Sequence, residues 1–153
     1  MKVYELRRTQ LIKAPIDEIW AFFSSPKNLS ALTPAYMKFT ITSTNMPAET
    51  YPGQIITYKV SPIAGVPLFW MTEITHVDKN KLFVDEQRIG PYKIWHHEHH
   101  FVQQTDGVLM TDIVHYSLPV YFLGRIAHEI FIKKQLKDIF DYRHKKIEEH
   151  FGS

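Results

Sequence analysis

Two histidines one residue apart, His97 and His99, stand in the run Trp95-His96-His97-Glu98-His99-His100-Phe101. Alternate residues of a strand project to the same face, so these two imidazoles converge while His96 and His100 go to the other side. The next run reads Met110-Thr111-Asp112-Ile113-Val114-His115-Tyr116, and Asp106-Gly107 between the two runs is a strong hairpin signal. Pairing Thr105 with Val108 predicts Phe101 opposite Asp112, His99 opposite Val114 and His97 opposite Tyr116. One face then carries Trp95, His97, His99, Phe101, Met110, Asp112, Val114 and Tyr116. The other carries Ile94, His96, Glu98, His100, Thr111, Ile113, His115 and Ser117. The first is larger and more apolar, which assigns it inward.

Imidazoles beside a carboxylate among aromatic rings support three kinds of chemistry. A histidine paired with an acid in an apolar pocket can transfer protons, with Tyr116 polarising a carbonyl. His97-x-His99 near a carboxylate can hold zinc, iron or nickel. The third role is plainer: wall residues that hydrogen-bond a ligand, oriented by Asp112 or Asp85. No third histidine falls on that face, and the spacing is weakly specific for metal. The wall reading is therefore favoured, with no metal and no cofactor expected. No serine nucleophile is arranged with these groups, and the chain has no cysteine.

The strand before this hairpin completes the candidate site in one of two ways. If Gly90-Pro91 is a two-residue turn, Glu86 faces Trp95, and Leu82, Val84 and Arg88 join the inner face. A three-residue turn sends Asp85 and Gln87 inward instead, with Asp85 facing His97. A slip of one residue exchanges the whole set, and both readings stay open. The candidate ligand-binding residues are Glu86, Arg88, His97, His99 and Asp112 for polar contact, with Tyr116. Trp95, Phe101, Met110 and Phe131 supply apolar contact. Buried ionisable groups cost several kcal/mol unless paired or hydrated, so this mixture predicts a cavity rather than a sealed core.

These side chains need a scaffold. Val3 to Ile12 reads as a first strand, and Pro15 with Asp17 and Glu18 opens a short helix through Phe23. Ser25-Pro26 starts a second short helix reaching about Ala31. Strands follow at Met37 to Thr44, Gln54 to Ser61, Leu68 to Val77, Leu82 to Ile89, Tyr92 to Gln104 and Val108 to Leu118. From Phe122 to Phe151 apolar residues recur at helical spacing, including Leu123, Ile126, Ala127, Ile130, Phe131, Ile139, Phe140 and Ile147. Lysines and acids occupy its other face. The order predicts an α+β fold in which a curved, seven-stranded antiparallel sheet wraps one long helix.

Composition narrows the function. A chain of 153 residues with 44% hydrophobic content suits one domain with a substantial core. A net charge of +2 does not make nucleic acid the main partner. Lacking cysteine, a secretory leader pattern or a long apolar run, the sequence predicts a soluble cytoplasmic protein without stable membrane insertion.

Several runs carry a resemblance. Phe83-Val84-Asp85-Glu86-Gln87, Gly90-Pro91-Tyr92, Trp95-x-His97-Glu98-His99-x-Phe101, Met110-x-Asp112 and Tyr116-x-Leu118-Pro119 are among them. So are Leu123-Gly124, Ala127-His128 and Ile139-Phe140-x-Tyr142-Arg143-His144. Together they resemble the START-like, polyketide cyclase-like superfamily with its helix-grip fold, and within it a bacterial ligand-binding subgroup. The resemblance implies an internal cavity for a small apolar or lipid-like molecule and no fixed cofactor. It also implies, for some members, association with a sugar-nucleotide-epimerase-like domain. Cyclisation or dehydration by His97 and Asp112 is the alternative activity it suggests. Val120-Tyr121-Phe122 lacks the glycine of that pattern, implying a bulkier, stiffer cavity mouth.

Overall fold

Strand β1, Tyr4–Ile12, alternates exposed side chains with half-buried and then buried ones, as a strand packed on one face must. The computed structural model to which it belongs describes residues 1–119 and 125–152, with side chains of the last helix described from Glu129 onward. Helix α1, Ile16–Phe23, begins just after Pro15 and buries Ile19 and Trp20. Two 3-10 turns, Pro26–Leu32 and Ala35–Met37, follow it.

The remaining strands are β2 (Thr40–Ile41), β3 (Ile55–Val60), β4 (Leu68–Asp78), β5 (Leu82–Ile89), β6 (Ile94–Gln104) and β7 (Gly107–Ser117). All pairings are antiparallel, in one seven-stranded sheet of order β1-β7-β6-β5-β4-β3-β2. Helix α2, Arg125–Phe151, packs Ile132, Leu136, Phe140 and Ile147 into the core beside the sheet. This is the helix-grip arrangement expected from the sequence. No helix among the described residues is long and apolar enough to cross a membrane.

Four expectations require correction. The strand expected at 37–44 shrinks to Thr40–Ile41, because Ala35–Met37 coils and Lys38 takes a left-handed φ of 48°. In the β6–β7 hairpin Gln104 pairs with Gly107, so Thr105-Asp106 form the turn. Each pairing shifts by two residues and the faces are preserved: His99 lies opposite Asp112, His97 opposite Val114 and Phe101 opposite Met110. Gly107 is drawn into the strand where β1 ends. A Cβ there would lie 2.4 Å from the Ile12 carbonyl oxygen, and its φ is 152°.

Between β5 and β6, Asp85 pairs with His97 and Glu86 with His96, the three-residue alternative. Gln87 closes that turn, its Nε2 donating to the Tyr92 carbonyl at 2.7 Å and its Oε1 accepting from the Tyr92 N–H at 3.2 Å. Glu86 and Arg88 consequently lie on the outer face. Along α2 Phe140 and Ile147 are buried as expected, but near the helix start the stripe falls one residue later: Phe131 is 48% exposed and Ile130 64%, while Ile132 is buried. The i, i+4, i+8 series Ile132, Leu136, Phe140 is what meets the sheet. Phe122, Leu123, Gly124 and the Val120-Tyr121-Phe122 segment lie outside the described residues, as do the side chains of Ile126, Ala127 and His128.

The close approach at Gly107 gives a direct test. Gly107→Ala should cost about 2 kcal/mol or more of stability, measured by urea denaturation, since the clash is with fixed backbone.

Candidate functional site

The sheet pleat and the register of β5, β6 and β7 bring two acids and two imidazoles together. Asp85, His97, His99 and Asp112 stand on neighbouring strands of the inner face, and Arg143 of α2 reaches them from the helix. His97 Nε2 lies 2.9 Å from Asp112 Oδ1, and His99 Nε2 lies 2.7 Å from Asp85 Oδ2. The second ring nitrogens face the opposite acids: His97 Nδ1 is 3.6 Å from Asp85 Oδ2 and His99 Nδ1 3.0 Å from Asp112 Oδ1. The latter approach is out of hydrogen-bond alignment. Arg143 Nε sits 3.4 Å from the other Asp112 oxygen. The two rings are 3.8 Å apart between centroids, and Phe83 stacks on His99 at 4.1 Å.

Burial opposes charge on the two acids and the two imidazoles, and their neighbours decide the outcome. For Asp112, burial is outweighed by the Arg143 guanidinium and the two imidazoles, which hold its carboxyl well below the usual range. Asp85 is also lowered, with His97 and His99 overcoming burial. Burial, reinforced by the charge of His99, lowers His97 despite both acids. His99 goes the other way: bonds to Asp112 and Asp85 overcome burial and raise it. The same environment thus makes His97 the reluctant base and His99 the retentive one.

Beside this cluster lies a cavity of about 290 Å³ between the sheet and α2. Asp85, His97, His99 and Arg143 form one polar end of its wall, whereas Asp112 is not among the lining residues. Rings and branched side chains cover most of the remainder, including Phe23, Ile56, Trp70, Tyr92, Trp95 and Ile139. A second, smaller polar group is a hydroxyl chain: Tyr58 Oη lies 3.0 Å from Thr72 Oγ1, to which Trp70 Nε1 donates at 3.1 Å. Gln135 of α2 donates from Nε2 to the Pro62 carbonyl in the β3–β4 loop, and both residues line the cavity.

Of the residues singled out from the sequence, His97, His99 and Trp95 line this cavity. Asp112 stands behind the two imidazoles. Phe101 and Met110 belong to a separate core with Trp20, and Tyr116 stacks on Tyr4 at 5.3 Å. Phe131 is half-exposed. Glu86 and Arg88 form an outer-face ladder instead: Arg88 bonds Glu73 at 2.6 Å and Glu86 at 3.1 Å, and Glu86 contacts His96 at 2.7 Å. Sequence reasoning left Asp85 as an alternative and did not count Arg143 among the candidate contacts. It missed the Tyr58, Thr72 and Trp70 group. Arg143 falls three residues after Phe140 and four before Ile147, so its place on the buried stripe was the available signal.

Removing Asp112 strands Arg143 and two imidazoles. Asp112→Ala should therefore cost about 3–5 kcal/mol in urea denaturation. The pH profile adds a signed expectation. Because His99 is raised on folding, its stabilising contribution is complete below about pH 6.5 and fades as pH rises through its folded value. The depressed acids act oppositely, their contribution present above about pH 3.9 and lost as pH falls through their folded values. In a thermal-melt series, His99→Gln should flatten the alkaline decline and shrink the acid one without abolishing it, since His97 and Arg143 still lower both acids.

No protein-family model matches the chain, and no curated protein does. Solved structures match along nearly its full length. Protein Ms6760 from Mycobacterium smegmatis is 18% identical, covering 96% of this chain and 94% of that one, with a TM-score of 0.66. Protein CV1439 from Chromobacterium violaceum is 10% identical, with 97% of each chain covered and a TM-score of 0.71. Ginseng major latex-like protein 151 from Panax ginseng is 16% identical over 97% of each chain, with a TM-score of 0.67. At these identities the shared property is the fold: the chain has the helix-grip architecture of these structures.

Proposed function

We propose that the chain binds a small, mainly apolar molecule in the cavity between the sheet and α2, with its polar group at the Asp85–His97–His99–Arg143 end. The observation that carries this reading is that a buried charged cluster opens onto an apolar hollow. Apolar walls with a few convergent polar groups are the usual composition of ligand sites. A volume of about 290 Å³ suits a compact ligand. In the fold it shares with the ginseng latex-like protein, this chain leaves its hollow between sheet and helix. The candidate contacts are His97, His99, Asp85 and Arg143 for the polar group and Trp95, Trp70 and Ile56 for the apolar body.

One observation favours a catalytic use of the same cavity. His97 faces the hollow with Asp112 at 2.9 Å behind it, the arrangement of a base oriented by an acid. A cyclisation or dehydration with His97 as the proton carrier would lose its rate in His97→Gln while keeping affinity for the product.

Native mass spectrometry of freshly purified protein identifies the bound organic mass. Each charge-assisted hydrogen bond is worth about 1.5–3 kcal/mol. Asp85→Asn and His97→Gln should therefore weaken the identified ligand ~10–150-fold while circular dichroism is unchanged. Filling the apolar wall with Ile56→Trp should block binding. Equal affinity in all three variants rejects this cavity as the site.

A further inference from the structure

We infer that the polar end of the cavity is a site for one divalent first-row transition metal ion, held by Asp85 Oδ2, His97 Nδ1 and His99 Nε2. These residues form a compact donor set whose ligand atoms all lie within 4.8 Å of one another. Asp85 Oδ2 stands between the two rings, 3.6 Å from His97 Nδ1 and 2.7 Å from His99 Nε2. A tetrahedral ion with bonds of about 2.1 Å has donors roughly 3.4 Å apart, a separation these two distances bracket. The third separation, between the two imidazole nitrogens, is within 4.8 Å, so closing the set around an ion asks for side-chain rotation and no change of strand register.

The remaining ring nitrogens make the stronger argument. His97 Nε2 and His99 Nδ1 both face a single oxygen of Asp112, at 2.9 and 3.0 Å. A metal-bound imidazole typically gives its other N–H to a carboxylate, which fixes the tautomer and aims the free lone pair. Here one acid faces both rings, hydrogen-bonded to His97 Nε2 and close to His99 Nδ1 though not yet aligned with it, and each ring's other nitrogen faces Asp85. Asp112 is in turn held by Arg143 at 3.4 Å and has a side-chain exposure of 3%, against 17% for Asp85. The outer carboxylate is thus sealed while the inner one reaches the cavity, where a water or a ligand oxygen can complete the coordination. Two imidazoles and one carboxylate suit zinc or iron(II) better than calcium or magnesium.

The outer face provides an internal control. His96 contacts Glu86 with Nδ1 at 2.7 Å and Glu98 with Nε2 at 3.2 Å, so its two nitrogens serve different acids and enclose no common point. His100 adds only Glu98, at 2.7 Å.

The inference adds an ion to the polar end of the proposed cavity and does not require an organic ligand. Full-length protein stripped with chelator is titrated with Co(II). One equivalent should bind, giving the visible bands of a four- or five-coordinate ion, and one equivalent of Zn(II) should bleach them. Asp85→Asn, His97→Gln and His99→Gln should abolish the bands, Asp112→Asn should weaken binding ~10–100-fold, and His96→Gln and His100→Gln should leave both unchanged. Should the buried variants fail to fold, proton NMR of the Co(II)-loaded wild type decides. Two exchange-protected, paramagnetically shifted imidazole N–H signals are expected, from His97 Nε2 and His99 Nδ1. Absence of stoichiometric bands, their persistence in the folded triad variants, their loss in the outer-face variants, or absence of both N–H signals overturns the inference. Organic ligand bound without Co(II) affinity sinks the metal site alone; Co(II) bound without any cavity ligand sinks only the binding reading.

Discussion

Charge balance around Asp112 is the constraint on which the interior depends. Two carboxylates face one guanidinium and two imidazoles, and both acids favour the charged form of His99, so the sheet and helix can enclose five ionisable groups without leaving an isolated charge. Isolated ions would not survive in such surroundings, whereas a matched set approaches neutrality against its desolvation cost. This balance also ties α2 to the sheet. Arg143 is the helix's contribution, and its place on the stripe between Phe140 and Ile147 fixes the rotation of the helix about its axis.

The two kinds of surface in the interior follow from this. Where aromatic rings meet, as with Trp20 against Phe83 and Phe101, the side chains close up and leave a packed core. Where Trp70, Tyr58 and Trp95 stand, their polar ends are satisfied by Thr72 or directed elsewhere, and a hollow remains against the charged cluster. The burial that maintains the hollow also pushes the Tyr58 hydroxyl's pKa upward, keeping it neutral beside Asp85. Large rings thus serve in one half of the sheet as filling and in the other as walls.

How much of this was legible in the sequence depended on which physical signal each feature leaves. Element order and the assignment of His97, His99 and Asp112 to one face came from period-two alternation, which survives a shift of two residues. That is why a hairpin register misplaced by the Asp106-Gly107 signal still put the right side chains inside. The β5 register had no such protection, since a one-residue change swaps Asp85 for Glu86, and the Gln87–Tyr92 bonds that select it are tertiary detail. Phe131 misled for a related reason: adjacent apolar residues on a helix leave the stripe's phase open, and Ile132 rather than Phe131 sets it. Phe101, Met110 and Tyr116 share the inner face, but the cavity does not extend along the whole of it.

The bond from Gln135 to the Pro62 carbonyl ties the helix to the β3–β4 loop at the cavity wall. Because the acceptor is main chain, the tether ignores which side chains the loop bears and responds only to where its backbone runs. Residue exchanges between Ser61 and Pro67 are thereby buffered, whereas an insertion or deletion there would unhitch the helix from the loop and reshape the cavity wall that both line.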